Sequence, residues 1–433
     1  MKINLLFLLM VLLYSSMSFA QSPKELAETW EKEHISRLFP SDVRHKDLVA
    51  YLEDLRKLGL KVDEVGRSNA ERSIFQVEFG RGPLKIFMWS QMHGDEPTAT
   101  SALIDMLAYF QKNRQTGWIK KIEETVTIRA VPMLNPDGAE AYQRRNLQGI
   151  DINRDAVDLR TPEARLLKKL RDDWSPAIGF NLHNQQALTT VGRTPKQAAI
   201  SLLVVFGDEA KTLNEGQARN QRVAAAMAEA LQQLIPGHVG RYDDEWTPTA
   251  FGDNFSAWGT PVILVETGAL HGRDEMFLVK LNFVAFVTAL QSIVTGREKT
   301  QDPAAYVSLP SNGSGGIVNY LFRRANIVNN GETTVGDIGV IAERRRASFT
   351  VSAKISAVGT LNGLTGLDEY DASGFYVYQR FGKARPGELG EFYFYKLDRT
   401  IDWKSSDLTF NFPPDAIFSA GRFIKGAGLV PKK

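Results

Sequence analysis

Between residues 74 and 295, short apolar segments alternate with longer amphipathic ones, and this alternation limits the fold more than any other feature of the chain. The short segments predict strands, at 74–79, 84–89, 126–132, 177–182, 201–206 and 262–265. The longer segments predict helices at 97–113, 162–173, 208–235 and 274–295, and a further helical stretch is predicted at 24–60, before this alternation begins. Strands that alternate with helices form an α/β layer, so we expect a mixed, mostly parallel sheet flanked by helices.

The composition changes after residue 298. Residues 299–316 contain Pro303, Pro310 and a run of serine, asparagine and glycine, which is typical of a linker. The segments beyond it are short and alternating, for example at 348–353, 375–378, 391–395 and 408–412. We therefore expect an α/β domain at 21–298, a linker at 299–316 and a small all-β domain at 317–433.

Residues 1–20 carry the pattern of a secretory signal peptide. Lys2 precedes an unbroken apolar run of nine residues, 5–13, and Ser18-Phe19-Ala20 offers small residues at the two positions that a signal peptidase reads. Such a run is too short to span a membrane, which takes about 20 residues. We therefore expect cleavage after Ala20, export to the periplasm or the extracellular space, and a soluble product without stable membrane insertion.

The chain has no cysteine, and this absence narrows its chemistry. It excludes disulfides, thiolate metal sites, iron–sulfur clusters and thiol nucleophiles, so any metal must be held by histidine, aspartate and glutamate. Lysine and arginine number 52 against 50 aspartates and glutamates, a balance that offers no electrostatic basis for nucleic-acid binding.

Polar side chains follow the predicted strands at the ends where open α/β sheets place their ligands. His93 and Glu96 follow the strand at 84–89, with Gly94 between them to permit a sharp turn, and His183 follows the strand at 177–182. A His₂Glu set binds Zn²⁺ and leaves one tetrahedral position open, as a catalytic zinc requires. The chain has six histidines, and finding two of them at strand ends weakens the alternative of histidines buried for packing.

Further candidates are one glutamate and several arginines. Glu266 ends the apolar strand at 262–265, where a carboxylate is costly unless it is paired or functional, so it is a candidate general base. Arg144 and Arg154 stand in two polar segments. A guanidinium binds a carboxylate bidentately or stabilises an oxyanion, although a single arginine is more often a surface charge.

Together these residues resemble the zinc carboxypeptidase family, the metallocarboxypeptidases of the carboxypeptidase A type. The resemblance runs, in order, through His93-x-x-Glu96, Asn135-Pro-Asp-Gly138, Arg144-x-Asn146, Gly149-x-Asp151-x-Asn153-Arg154, His183 and Glu266. It implies one Zn²⁺ per chain, bound by His93, Glu96 and His183, and it makes Glu266 the general base.

The resemblance also implies roles for the remaining residues. Arg144 would stabilise the oxyanion, with Arg145 as the alternative if the register differs. Asn153 and Arg154 would hold the terminal carboxylate of the substrate, and Tyr242 would close over it. Asp155 departs from the family pattern, in which asparagine is more usual at this position.

The implied function is that of an exported zinc exopeptidase that removes the C-terminal residue of a peptide, and we expect a monomer. One alternative is a zinc amidase or deacylase of the same fold that acts on peptidoglycan peptides or acylated amino acids, since these substrates also present a carboxylate. Two further alternatives are a binding protein without catalysis and a sugar- or surface-binding protein that works through its β domain. Acidic residues in the loop 243–260, such as Asp244 and Asp253, would favour a basic terminal residue, unless they only face solvent.

Overall fold

The computed structural model describes residues 20–345 and 350–433. The described residues form two compact units: the first comprises those up to Ala187 together with Ala198–Asn312, and the second comprises Leu188–Gln197 and the described residues from Gly313 onward. The predicted signal peptide falls on residues 1–20, and all of these except Ala20 lie outside the described residues.

Helices and strands are numbered here in chain order across both units. The helices are α1 (Pro23–Glu33), α2 (His45–Lys57), α3 (Thr98–Lys112), α4 (Gly117–Thr125), α5 (Pro136–Ala141), α6 (Pro162–Trp174), α7 (Glu215–Leu234), α8 (Phe251–Ala257), α9 (Glu275–Thr295), α10 (Ala304–Val307) and α11 (Leu408–Asn411). The strands are β1 (Lys61–Arg67), β2 (Ser73–Gly80), β3 (Leu84–Ser90), β4 (Val126–Val131), β5 (Ile178–Asn184), β6 (Thr190–Val191), β7 (Ile200–Val205), β8 (Val239–Arg241), β9 (Val262–Thr267), β10 (Asn312–Gly313), β11 (Ile317–Asn329), β12 (Glu332–Arg345), β13 (Thr350–Gly359), β14 (Thr365–Asp371), β15 (Phe375–Gln379), β16 (Phe392–Lys396), β17 (Ala416–Ser419) and β18 (Arg422–Lys425).

The first unit is built on one mixed sheet with the strand order β1-β2-β4-β3-β5-β9-β7-β8. The central strands β3, β5 and β9 pair in parallel, whereas β7 runs antiparallel to β9. These central strands are buried along most of their length, which explains why they are almost continuously apolar. The expected mixed α/β sheet flanked by helices is confirmed, and the carboxyl ends of β3, β5 and β9 meet at one edge of it.

Two apolar cores lie on opposite faces of this sheet. In β9, Ile263 and Val265 belong to one core and Val262 and Leu264 to the other, because successive side chains of a strand point to opposite faces. The first, here the α9 core, also contains buried residues of α3, α7 and α9. The second, the α8 core, contains buried residues of α6 and α8.

Helix α9 is long and apolar enough to cross a membrane by length and composition, the only helix of the described chain that meets this criterion. Most of its side chains are buried within the first unit, and the core helix of a soluble protein passes the same test.

Several boundaries differ from those expected. The helical stretch expected over 24–60 consists of two helices, α1 and α2. Helix α7 begins at Glu215 rather than at 208, because the side chain of Asn214 caps it by accepting hydrogen bonds from the backbone N–H groups of Gly216 and Gln217. The linker at 299–316 stays a prediction, although α10 lies inside that range and Tyr306 is buried in the α9 core.

The second unit is rich in strands, as expected. Its main sheet has the order β13-β12-β11-β15-β16-β17-β18, with β14 paired to β11 in parallel. The strand predicted at 408–412 is wrong: this stretch contains the single helical turn α11, which the side chain of Asp407 starts by accepting a hydrogen bond from the N–H of Phe410. The strand predicted at 348–353 falls partly on residues 346–349, outside the described residues.

We predict that the buried carboxylate of Asp105 in α3 is a main stabiliser of the first unit. It accepts hydrogen bonds from the backbone N–H groups of Ile35 and Ser36 at 2.9 and 2.8 Å, and from Trp30 Nε1 at 2.9 Å. Asp105→Ala leaves these donors unpaired, so the free energy of unfolding should fall by about 3 kcal/mol in a urea titration. Asp54→Ala, which removes only exposed ion pairs, should cost at most about 1 kcal/mol, and equal losses in both variants would contradict the prediction.

Candidate metal and catalytic site

His93, Glu96 and His183 come together because β3 and β5 are neighbours in parallel. His93 and Glu96 lie in the loop after β3, and His183 is the penultimate residue of β5. Gly94 allows that loop to approach the backbone of α5 closely, since a Cβ atom at this position would lie 1.9 Å from the carbonyl carbon of Gly138. The three candidate ligands therefore share one edge of the sheet.

The donor atoms of these three residues lie within 4.8 Å of one another, and all three residues are buried. His93 Nδ1 is 2.8 Å from Glu96 Oε1, and His183 Nδ1 is 2.7 Å from Glu96 Oε2. The two Nδ1 atoms are 3.2 Å apart. Two imidazoles and a carboxylate that converge in this way match the donor set of a catalytic zinc site, so the residues fit the metal that the sequence predicts.

The charges suit a cation as well. Burial, the largest influence, raises the pKa of Glu96, but His93 and His183 outweigh it and hold this pKa below its usual value. Burial lowers the pKa of His183, which favours the neutral ring that a metal requires.

Asp151 orients His93, a role that the sequence analysis did not assign. His93 Nε2 donates a hydrogen bond to Asp151 Oδ1 at 3.0 Å, which leaves Nδ1 as the nitrogen that faces Glu96 and His183. Burial raises the pKa of Asp151, but His93 and Arg144 together hold it below its usual value, so the acceptor stays charged. The string Gly149-x-Asp151-x-Asn153-Arg154 contained this residue, but its spacing alone gave no partner for it.

Arg144 reaches the cluster and Arg145 does not. Arg144 Nη1 donates to Glu96 Oε1 at 3.0 Å and to His93 Nδ1 at 3.1 Å, and its Nε donates to Asp151 Oδ2 at 3.0 Å. The exposed Arg145 donates to the backbone carbonyl of Gly149 at 3.1 Å. Arg144 is therefore the arginine placed to act at the site, while its role toward an oxyanion stays a prediction.

Glu266 lies next to His183, because the two residues are Cα partners in the parallel pair β5–β9. Its side chain is 6% exposed, and within the described residues its Oε2 has no hydrogen-bond partner. Burial, followed by the charge of Glu96, raises the pKa of Glu266 well above its usual value. A carboxylate with a raised affinity for protons beside a metal site has the properties of a general base.

Asn153 and Arg154 lie in a short 3₁₀ turn, Ile152–Arg154, within the loop that follows Asp151. Asn153 Oδ1 accepts a hydrogen bond from the N–H of Phe251 at 2.9 Å, which ties this loop to the start of α8. The Arg154 side chain is exposed, and its Nη1 donates to the carbonyl of Asn153 at 2.9 Å. Asp155 is buried and accepts hydrogen bonds from the N–H groups of Arg160 and Thr161. The aspartate that replaces the family's usual asparagine therefore stabilises the following turn.

Tyr242, directly after β8, lies within electrostatic reach of the site. Burial raises its pKa to about 12, and the charges of Glu266 and Glu96 add to this. Two acidic residues nearby have partners of their own: Asp244, in the loop after β8, pairs with Lys211 at 2.6 Å, and Asp253, in α8, accepts a hydrogen bond from the N–H of Thr247 at 2.9 Å. Burial raises the pKa of Asp253 to about 6, and the charge of Arg154 acts against this rise.

Residues 48–200 match the family model described as zinc carboxypeptidase. This stretch is a zinc carboxypeptidase domain. The matched residues include the three candidate ligands, Arg144 and Arg154, whereas Glu266 and Tyr242 lie beyond them.

Curated relatives of the zinc carboxypeptidase domain carry related names. A probable carboxypeptidase 2 of Arthroderma benhamiae is 29% identical over 197 residues, which cover 45% of this chain and 36% of that protein. Carboxypeptidase 2 of Trichophyton rubrum is 28% identical over 197 residues, covering 45% and 35%. The chain thus spans little more than a third of the length of these relatives. Carboxypeptidase SOL1 of Arabidopsis thaliana is 28% identical over 147 residues, covering 29% and 30%.

Solved structures similar to this chain include a metallo-carboxypeptidase from Burkholderia cenocepacia, with a TM-score of 0.47 and 16% identity over 58% of this chain and 69% of that one. A metallo-carboxypeptidase from Pseudomonas aeruginosa gives a TM-score of 0.46 and 17% identity, covering 57% and 68%.

We predict that Asp151→Ala weakens metal binding without unfolding the domain. His93 then loses the acceptor that fixes its ring, so zinc affinity should fall by about 10- to 100-fold, as for other partners of metal-bound histidines. Competition titration with a coloured chelator measures the affinity, and circular dichroism checks the fold. The exposed Asp158 gives the control, Asp158→Ala, and equal zinc affinity in both variants would count against the role of Asp151.

Proposed function

We propose that this chain is an exported, monomeric, zinc-dependent carboxypeptidase that hydrolyses the C-terminal bond of a peptide. The observation that carries the proposal is the convergence of His93, Glu96 and His183 beside the unpaired carboxylate oxygen of Glu266. Export rests on the sequence pattern of residues 1–20.

His93, Glu96 and His183 would hold the ion, with Asp151 fixing the ring of His93. Zinc, when bound there, supplies a Lewis acid that polarises the scissile carbonyl. All three ligands are buried, so they lie in surroundings of low dielectric constant, where electrostatic interactions are stronger than in water.

Glu266 acts as the proton carrier of the reaction. Its carboxylate accepts a proton from the attacking water and later delivers this proton to the departing amine, so its raised pKa serves both steps. Arg144 donates toward the negative charge that develops on the carbonyl oxygen. Asp151 and Glu96 hold its guanidinium in place through the hydrogen bonds described above.

Arg154 and Asn153 make the enzyme act at a chain end. The exposed guanidinium of Arg154 binds the free carboxylate of the substrate, and this contact aligns the last peptide bond with the catalytic residues. Tyr242 closes over the bound residue from the loop after β8.

Glu266→Gln tests the proton carrier. The variant keeps the shape of the side chain and should retain zinc, but kcat should fall by roughly 10²- to 10⁴-fold because the amide cannot accept a proton. Zinc content and turnover of a C-terminally free peptide are measured on the same samples. Glu245→Gln alters an exposed glutamate of a nearby loop and should leave kcat unchanged. Unchanged turnover in Glu266→Gln with zinc still bound would refute the mechanism.

Arg154→Ala tests recognition of the chain end. Loss of a bidentate charged contact should lower kcat/KM for a peptide with a free carboxylate by roughly 10²-fold, mainly through KM. The matched control is Arg145→Ala, which also removes a guanidinium bonded to a backbone carbonyl. The wild type should spare the C-terminally amidated peptide. If the wild type cleaves the amidated peptide as fast as the peptide with a free carboxylate, the result would favour an amidase. Peptidoglycan peptides in the same assay would show whether cell-wall substrates are preferred.

A further inference from the structure

One buried polar side chain near the metal ligands forms no hydrogen bond within the described structure. Asn181 in β5 is 1% exposed, and within the described part of the chain neither its Oδ1 nor its Nδ2 has a hydrogen-bond partner. Buried amides in native proteins nearly always have partners, because an unpaired one is costly. The amide of Asn181 therefore calls for a ligand or for another explanation.

Its position relates it to the reacting groups. Asn181 precedes His183 by two residues and so shares its face of the sheet, and its Cα partner in β9 is Leu264, which precedes Glu266 by two. On the other side its Cα partner in β3 is Trp89, whose Nε1 likewise has no partner among the described residues. The amide thus lies one layer below the metal ligands and the general base.

A second contact relates Asn181 to the residues that would hold the substrate carboxylate. Asn153 Oδ1 accepts a hydrogen bond from the N–H of Phe251. Gly252, which follows Phe251 in the chain, faces Asn181. A Cβ atom built on Gly252 would lie 3.2 Å from Nδ2 of Asn181 and 3.7 Å from the side chain of Val205. Because Gly252 has no side chain, α8 can lie directly against the amide of Asn181, next to the loop that holds Asn153.

The surroundings of Asn181 are otherwise apolar. Leu264, Leu203 and Val205 belong to the α8 core that borders it. Asp244, in the loop after β8, pairs with Lys211, and Asp253, in α8, accepts a hydrogen bond from the N–H of Thr247. A substrate side chain that reaches this point would meet the neutral amide of Asn181, the indole Nε1 of Trp89 and otherwise carbon.

We propose that Asn181 is the floor of the subsite for the side chain of the substrate's C-terminal residue and that it selects a carboxamide, asparagine or glutamine, in that position. This inference rests on the proposed function. A primary amide offers a donor and an acceptor that match those of Asn181, whereas an apolar side chain of the same shape leaves both buried groups unpaired.

The test compares peptides that are identical except for the last residue, with the zinc-loaded full chain. Glutamine is compared with methionine, and asparagine with leucine, because the members of each pair have similar shapes. The wild type should prefer each carboxamide by roughly tenfold or more in kcat/KM. Asn181→Leu should abolish or reverse both preferences.

Asn220→Leu is the matched control. Asn220 is also a buried amide without a partner in the described chain, but it lies in α7, whose buried apolar residues belong to the α9 core. This variant should keep the wild-type preference. Gly252→Ala adds a methyl group above the amide and should reduce kcat/KM for glutamine more than for the shorter asparagine, which tests the subsite even if Asn181→Leu fails to fold.

A wild type that cleaves methionine and leucine peptides as fast as their carboxamide counterparts overturns this inference and leaves the proposed function standing. A preference that survives in Asn181→Leu also overturns it. A zinc-loaded wild type that cleaves none of the peptides refutes the proposed function and this inference with it.

Discussion

The parallel pairing of β3, β5 and β9 brings the candidate metal ligands and the candidate general base of the first unit together. His93, His183 and Glu266 are far apart in the sequence, yet each stands at or just beyond the carboxyl end of one of these strands. Because the strands are buried, their register is fixed: a slip of one residue in β5 would turn His183 into the α9 core and bring an apolar side chain to the site. The chemistry of the site is thus a consequence of sheet packing.

The three buried carboxylates of the site differ in their electrostatic surroundings, and their pKa values differ as a result. Burial acts against the charged form of Glu96, Asp151 and Glu266 alike. Histidine and arginine neighbours hold the pKa values of Glu96 and Asp151 low, so these two remain anions and are suited to hold a cation and to orient its ligands. Glu266 forms no ion pair with the residues that the structure describes, and its raised pKa suits a proton carrier. Groups whose environments move their pKa values apart are the signature of divided acid–base roles.

The sequence predicted the parts of the site that follow from strand ends. His93, Glu96, His183 and Glu266 could be read from polar residues that directly follow apolar runs, and the family resemblance supplied Arg144. Asp151 and Asn181 could not be assigned in this way. The role of Asp151 depends on a hydrogen bond to a residue 58 positions away. The role proposed for Asn181 depends on the lack of a partner among the described residues, which only the folded chain reveals.

The helices and strands also divide into those that the sequence predicted and those that it did not. Long periodic helices and buried strands were predictable from their patterns, because burial of an apolar face dominates their formation. Helix α8 spans only Phe251–Ala257, too short for periodicity to reveal, and the turn α11 depends on one capping contact of Asp407. Short elements of this kind rest on single side chains, so composition alone misassigns them.

The central claim is that one zinc ion sits between His93, His183 and Glu96, coordinated through Nδ1 of both rings. Anomalous diffraction at the zinc edge, from crystals of the zinc-loaded protein, tests it most directly. The account predicts a single strong peak about 2.0–2.2 Å from both Nδ1 atoms and from a carboxylate oxygen of Glu96. The account would be contradicted if the peak lay within bonding distance of Nε2 of either ring, or if it lay elsewhere in the protein. It would also be contradicted if a protein shown to contain zinc gave no peak.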